Sequence, residues 1–311
     1  MKNGFILIST ISIIAILSIL TLFINSLTIS NALTISNFND SVEQRIKIIN
    51  YERFVINSLQ NNSNQLRNLQ FAEGEINYLV SQKFPTLSVK FYDLNSCLNL
   101  NSIVKPFRSL LVKNEENYIY FKNLFDSIGI DRLKSEEFIH RLVDYIDSDQ
   151  LPEPLGAEDL FYVSDESYNL TVDTFITDKS QIIDLKILNY DDLHKIYDQI
   201  CAIPTTENKF NINSLSVDNF LLFKALFTEI TLDEMQQIII NKPQYGYLNA
   251  KSLIDLNPYL ENKIDLEILI FKPEFLQISF KININDKDYY FLTVADLKNK
   301  NNQISIRTIT K

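Results

Sequence analysis

One run of residues decides most of what this chain can become. From Phe5 to Ile24 the order is FILISTISIIAILSILTLFI, without a charge, and the uncharged stretch extends to Asn39 before Asp40. Twenty residues at about 1.5 Å of helical rise each reach about 30 Å, the depth of bilayer hydrocarbon. The only charged side chain ahead of the run is Lys2. The positive-inside rule therefore keeps the start cytoplasmic and sends the remainder outward. A secretory signal peptide would pair a shorter apolar region with a small-x-small cleavage site, and Asn25–Ser30 lacks such a site. After Asp40, Ile46, Ile49, Phe54, Val55 and Leu59 recur at helical steps among charged residues, with no Pro or Gly before Gly74.

Charge narrows the function classes. Asp and Glu number 39 against 29 Lys and Arg, a formal charge of −10, which argues against a non-specific nucleic-acid binder. The excess is local. Between Asp144 and Asp178 lie ten acids (Asp144, Asp147, Asp149, Glu153, Glu158, Asp159, Asp165, Glu166, Asp173 and Asp178) and no Lys or Arg, and outside that stretch the two signs balance. A hydrophobic share of 46% with 22% charged residues excludes wholesale disorder. Five glycines leave little room for Gly-rich phosphate loops.

Beyond Pro85, Leu87–Asn101 alternates as strand structure with a turn at Asp93–Ser96. The phrase Leu98-Asn-Leu-Asn-Ser102 then reads as a helix start capped by Asn101 or Ser102. It returns as Phe210-Asn-Ile-Asn-Ser214, the clearest internal echo in the chain. Helical patterns cover Tyr118–Ile128, Ser135–Ile146 with Ser135 as cap, Asp191–Ile200, Asp218–Phe227 and Asp233–Asn241. Tyr245–Leu253 reads as a turn followed by a helix. In the tail, FLQISFKINI, DYYFLTV and QISIRTI alternate as three antiparallel strands, with turns at Asn285-Asp286 and Lys298–Asn302.

Two motifs carry a resemblance. Lys2-Asn-Gly4 followed by Phe5 and the apolar helix resembles the leader of type IV pilins and type II secretion pseudopilins. In those families a prepilin peptidase cuts after the Gly, here between Gly4 and Phe5, and Phe5 would be N-methylated. The fifth mature position is Ser9, where most of that family has Glu; its absence is a habit of the minor pseudopilin K. The second motif is Asp144-Tyr-Ile-Asp-Ser-Asp-Gln-Leu-Pro-Glu-Pro-Leu-Gly-Ala-Glu-Asp-Leu-Phe-Tyr162. It closely resembles the most distinctive stretch of the type II secretion protein K family. Cys97-Leu-Asn-Leu-Asn101, Cys201-Ala-Ile-Pro204 and Phe210–Ser214 support the match, while Leu155 stands where the family often has Gly.

The resemblance implies an α+β fold: a pilin-like helix packed on an antiparallel sheet, with a large all-α insertion similar to sterile-alpha-motif and helix-hairpin-helix domains. The expected parts are a leader (1–4), a transmembrane helix (5–25) and a pilin-like helix with first strands (26–102). An inserted helical domain (103–205), a second helical part (206–265) and the closing strands (266–311) follow. The implied function is a minor pseudopilin that caps the pseudopilus tip, a single-pass inner-membrane protein with its C-terminal domain in the periplasm. Implied partners are minor pseudopilins I, J and H, the major pseudopilin G, the prepilin peptidase and the inner-membrane assembly platform. A minor pilin of a type IV pilus or DNA-uptake system is the alternative. DNA-binding helix-hairpin-helix domains use Gly-x-Gly and lysines, whereas only Gly246 is present here, so no nucleic-acid partner is expected.

The acidic loop supplies the candidate site. Asp147, Asp149, Glu158 and Asp159 offer hard oxygen ligands of the kind Ca²⁺ takes at about 2.3–2.6 Å, and a divalent cation relieves their repulsion. The spacing is not that of an EF-hand, and the family's helical domain binds calcium, so the resemblance points the same way. The two cysteines, Cys97 and Cys201, lie on the outer side by the topology above, where a disulfide is the default; family members with this pair imply the same link. Enzymatic activity is not expected. His140 and His194 read as ordinary helical residues, and no Gly-x-Ser-x-Gly, His-Glu-x-x-His, Walker or dinucleotide pattern occurs.

Overall fold

The apolar run is helical: α1 spans Lys2–Asn61 in the computed structural model. Backbone is described for residues 2–61, 64–164, 170–284, 287–298 and 304–310; the side chains of residues 1–9, 37, 39–41, 44, 284, 287 and 304–310 lie outside the description. The leader side chains of Gly4, Phe5 and Ser9, the acids Asp165 and Glu166, the Asn285-Asp286 turn and most of the 298–302 turn therefore fall outside it. The chain forms two compact units, residues 1–55 and 56–311, each described by itself.

In the first unit, Thr10–Ser36 is long and apolar enough to cross a membrane and none of it is buried within the protein. Several of its hydroxyl groups are paired within the helix. Ser18, Thr21 and Thr28 each donate to the carbonyl one turn back, on Ile14, Leu17 and Ile24, so these hydroxyls stay paired in an apolar surrounding.

The second unit carries the antiparallel sheet that the tail predicts. Strands β1 (Leu87–Asp93), β8 (Phe275–Ile284), β9 (Lys287–Asp296) and β10 (Ile304–Thr310) lie in the order β1-β8-β9-β10. Register places Val89 opposite Phe280 and Phe280 opposite Phe291, with the two rings stacked at 4.2 Å. All three are buried, which is what alternating apolar residues on one sheet face achieve. Helix α2 (Leu69–Lys83) covers β1 with Ala72, Ile76 and Val80, spaced one turn apart. It also closes the free edge of that strand. Asn77 bridges both backbone groups of Val89 (2.8 and 3.0 Å), and the Glu73 carboxylate accepts from Phe91 N at 2.7 Å. An edge whose donors are already taken cannot recruit another strand there.

Between β1 and β8 sits the helical insertion. Its elements are β2 (Leu98–Asn99), β3 (Val104–Phe107), β4 (Leu110–Lys113), α3 (Glu115–Ile128), α4 (Arg132–Ile146), α5 (Asp159–Ser164), α6 (Tyr190–Tyr197) and β5 (Ile200–Cys201). They are followed by β6 (Phe210–Asn211), α7 (Phe220–Leu226), α8 (Leu232–Ile240), α9 (Ala250–Leu256) and β7 (Leu269–Ile270). One buried cluster runs from Leu98 to Leu269 through the helices of both halves. The fold is thus the α+β arrangement expected, with the insertion outweighing the sheet.

The echoed phrases are two copies of one structural device. Leu98-Asn99 pairs in parallel with Ile200-Cys201, and Phe210-Asn211 pairs in parallel with Leu269-Ile270. In each copy the first Asn accepts from the backbone N–H two residues on, of Asn101 or Asn213. The second Asn then makes three bonds. Asn101 donates to Ile176 O and Ile203 O and accepts from Ile176 N, all at 2.8 Å. Asn213 donates to Tyr247 O and Phe271 O and accepts from Tyr247 N, at 2.7–2.9 Å. Asn is a side chain that can offer both a donor and an acceptor in one plane.

Three local expectations are corrected. The phrase at Asn101-Ser102 does not open a helix: Leu100–Ile103 is a 3₁₀ turn capped by Asn99, followed by the β3–β4 hairpin, and α3 starts after its own cap, Asn114. Ser135 is not the cap of α4. Asp131 is, because its carboxylate accepts from Lys134 N, while the Ser135 hydroxyl donates back to Asp131 O inside the helix. The helix expected over Asp191–Ile200 ends at Tyr197, since Ile200 is needed in β5.

Candidate functional site

The acidic loop grows out of the C-terminal end of α4. Its floor is the β3–β4 hairpin, fastened by Ser148, which donates its N–H to Leu111 O (3.1 Å) and whose hydroxyl accepts from Leu111 N (2.9 Å). Lys113 reaches from β4 to Glu153 at 3.0 Å, with its ammonium 4.8 Å from the centroid of the Tyr118 ring. His140, on α4, accepts at Nδ1 from Leu155 N at 3.3 Å, and its ring stacks on Tyr118. Burial pushes the His140 pKa down, so the neutral ring that accepts this bond is the favoured form.

Asp144 is the keystone of the loop. It is fully buried and accepts from Glu153 N at 3.0 and 3.2 Å, and from Ala157 N. Gly156 packs directly on it: a Cβ at that position would lie 1.8 Å from Asp144 Oδ2. Glycine is required there by close approach rather than by backbone dihedral.

With the loop so folded, the carboxylates of Asp147, Asp149 and Glu158 come together, one oxygen of each within 4.8 Å of the others. Asp147 and Glu158 are buried, Asp149 exposed. Asp147 Oδ1, both Glu158 carboxylate oxygens and the Tyr162 hydroxyl are buried without a hydrogen-bond partner. Lys113, Arg132, Lys134 and Arg141, the cations on β4 and α4, pair with Glu153, Glu136, Asp192 and Glu137 rather than with Asp144, Asp147, Asp149 or Glu158. Burial, reinforced by the neighbouring acids, pushes Asp147 up to about 7 and Glu158 up to about 8. Burial also raises Asp144 to about 6, against the pull of its two backbone N–H donors.

Buried carboxylate oxygens with no donor are costly to keep charged, and two of the three acids here sit at that cost. The donor set fits a hard divalent cation: all oxygen, several carboxylates, spacing that one ion can bridge. Asp159 stands apart from this group. It opens α5, and its Oδ1 accepts from Thr171 N (3.0 Å) and Thr171 Oγ1 (2.8 Å), tying the far end of the loop. Sequence reasoning singles out Asp147, Asp149 and Glu158, which converge. It assigns no role to Asp144, Gly156, His140 or Tyr162. The signal for Asp144 is its place in the last turn of α4, three residues before Asp147, the C-cap of that helix.

Cys97 and Cys201 form a disulfide, with Cα atoms 5.7 Å apart. It is buried with Leu94, Ile203, Phe275 and Val294, where the insertion leaves the sheet. Closing a loop with a sequence separation of 104 is worth about 4–5 kcal/mol in the chain-entropy model.

Comparison with known proteins addresses the whole arrangement. Residues 96–205, which hold the disulfide and the acidic loop, match the profile of the family described as type II secretion system (T2SS), protein K. The putative type II secretion system protein K of Escherichia coli (strain K12) is 28% identical over 170 residues, covering 54% of this chain and 52% of that protein. Type II secretion system protein K of Pectobacterium carotovorum subsp. carotovorum is 23% identical over 217 residues, covering 68% and 66%. The chain thus spans about half to two thirds of the length of these curated relatives. Among solved structures, the GspK-GspI-GspJ complex from the enterotoxigenic Escherichia coli Type 2 Secretion System contains a chain of the same fold. The TM-score is 0.60 at 18% identity, over 72% of this chain and 80% of that one.

Proposed function

We propose that the chain is a member of the type II secretion system protein K family, a minor pseudopilin that caps the tip of the pseudopilus and helps start its assembly. The observation that carries the reading is the position of the family-matched segment: it lies in the insertion between β1 and β8 of a sheet preceded by a long apolar helix. A subunit joins a pilin-like filament through its apolar stem, and an insertion larger than the sheet leaves no room for another subunit above it. Growth beneath such a subunit is then the sterically open direction. The role is structural rather than enzymatic.

The stem would anchor the protein once in the inner membrane, with the disulfide-bearing unit in the oxidising periplasm. Processing would fall between Gly4 and Phe5, followed by N-methylation of Phe5. GspI and GspJ accompany GspK in the similar complex, and their counterparts are the proposed tip partners. Minor pseudopilin H, the major pseudopilin, the prepilin peptidase and the assembly platform complete the set. The Asp147, Asp149 and Glu158 carboxylates would hold a calcium ion as a structural element of the insertion, with Asp144 shaping the loop around it.

Complementation of a deletion strain tests the reading against a type IV pilus role. Deletion should abolish release of exoproteins and leave twitching and DNA uptake intact. The wild-type gene should restore release, whereas Gly4→Val should remain at precursor mass and fail to restore it. Normal processing of Gly4→Val, or loss of twitching with normal secretion, contradicts the proposal.

A further inference from the structure

The β3–β4 hairpin turns one face to the core of the insertion and the other to solvent. Its register pairs Lys105 with Val112, Pro106 with Leu111 and Phe107 with Leu110. Directly opposed residues share a face and successive residues alternate, so Lys105, Phe107, Leu110 and Val112 lie together. Leu111, on the opposite face, packs against the buried cluster of the insertion, and its backbone is fastened to Ser148. The outward face is therefore the one that carries Phe107 and Leu110, which are 57% and 47% exposed.

Arg108 and Ser109 make the turn between that pair. Arg108 has a φ of 57°, in the left-handed region, and Ser109 does not. The first position of a two-residue hairpin turn with this geometry is one that glycine usually fills. An L-residue held there lowers stability, and such outliers cluster at functional sites. The Arg108 guanidinium carbon lies 5.4 Å from the centroid of the Phe107 ring, so cation and ring form one tip. Among the described residues no carboxylate forms an ion pair with Lys105 or Arg108. Acids meet the hairpin at its base instead: Glu115 and Glu153 pair with Lys113, and Ser148, bonded to Leu111, lies between Asp147 and Asp149.

We propose that the tip of the β3–β4 hairpin is a contact site for an anionic lipid surface. Phe107 and Leu110 enter the headgroup boundary, while Lys105 and Arg108 stay at the level of the lipid phosphates. Size favours lipid over a protein partner. The exposed tip is six residues, 105–110, against the about 20–30 residues a side of a specific protein interface. A lipid surface, in contrast, admits a small convex tip. Charge agrees, since each cation near an anionic surface contributes about fivefold in affinity. The chain also carries Thr10–Ser36, long and apolar enough to cross a membrane. The tip is then a second, weaker lipid contact, separate from that stem. The formal charge of −10 opposes the contact at long range, but beyond about 8 Å it is screened at physiological salt.

The test holds the full chain in phosphatidylcholine nanodiscs, which occupy the stem, and passes them over immobilised vesicles. Vesicles of equal phosphatidylcholine and phosphatidylglycerol should bind the protein at least about tenfold more tightly than pure phosphatidylcholine, and more weakly as salt rises. Arg108→Gly should weaken that binding about fivefold while keeping or raising the melting temperature, because glycine suits the turn. Arg108→Lys, which restores the charge, should bind as the wild type does. Phe107→Ser should weaken binding about tenfold. Equal binding to the two vesicles, no binding above empty nanodiscs, or unchanged binding in Arg108→Gly overturns the proposal. So does a loss in Arg108→Lys as large as that in Arg108→Gly. Arg108-dependent binding of a Leu/Glu amphipathic helical peptide, with no capture by either vesicle, overturns it in favour of an acidic protein surface.

Discussion

Glu158 has both carboxylate oxygens buried without a donor, beside Asp147 with one oxygen in the same condition. If a calcium ion resolves this, millimolar Ca²⁺ should raise the melting temperature of the full chain, by the equivalent of about 2.7 kcal/mol at a hundredfold excess over Kd. Glu158→Gln and Asp147→Asn should each abolish most of that shift. Absence of a shift in the wild type would remove the site. Asp93 makes a second residue-scale case, away from the cluster. It is buried, accepts from Asn211 Nδ2 (2.6 Å), Ser214 Oγ (2.5 Å) and Asn95 N (2.8 Å), and burial pushes it up to about 6 from 3.8. A carboxyl that binds its proton more tightly when folded adds stability that is fully present below pH about 4 and is lost as pH rises through about 6. The loss is on the order of 3 kcal/mol. Denaturant melts at pH 4 and pH 7 should show the wild type losing that much more than Asp93→Asn; parallel pH curves would contradict it. Composition isolates the acidic stretch but not which of its ten acids converge: Asp147, Asp149 and Glu158 do, and Asp159 is tied to Thr171 instead. The supports are not legible either: whether Gly156 meets Asp144, or His140 meets Leu155, depends on how a Pro-containing loop closes, and no periodicity encodes that.

At the scale of elements, the two Asn pins give the most direct comparison. Asn101→Ala orphans two buried carbonyls and one N–H, and Asn213→Ala orphans the same set with one carbonyl, that of Phe271, half-buried. Both should cost about 2–4 kcal/mol, from lost bonds and unsatisfied buried groups. Chemical denaturation of the two variants should show losses of similar size; a cost near zero for either would mean that its copy is held by other contacts. The repeat is visible as a phrase, yet it reads as a helix start because Asn and Ser cap helices as readily as they staple loops. The helix starts themselves follow local chemistry closely. Thr231 with Glu234 forms a capping box at α8, and Asn189 caps α6. Where pattern and structure part, at Ser135 and at Ile200, a residue outside the local pattern wins: an earlier carboxylate at Asp131, and a strand partner at Leu98. Long-range pairing is the part that a period cannot show.

For the whole molecule, the order of parts follows from where a sheet is interrupted. The tail strands are legible from strict alternation, and so is the strand at Leu87. That Leu87–Asp93 pairs with Phe275–Ile284 across the entire insertion is legible only through the family resemblance, because nothing local in either strand names its partner. Once paired, the sheet places the insertion at one end of β1 and β8, with the Cys97–Cys201 disulfide at the junction. A domain held at two adjacent points, by a covalent bond and by the buried Asp93 and Asn95 contacts, is fixed to the sheet rather than swinging from it. That fixity is what a cap needs, since a tethered but mobile domain would not block addition of a subunit above it. The proposed tip position can be read directly. Pseudopili assembled with an epitope-tagged copy of this chain and imaged by immunogold electron microscopy should carry label at one end of each filament. Label distributed along the shaft would contradict a capping role.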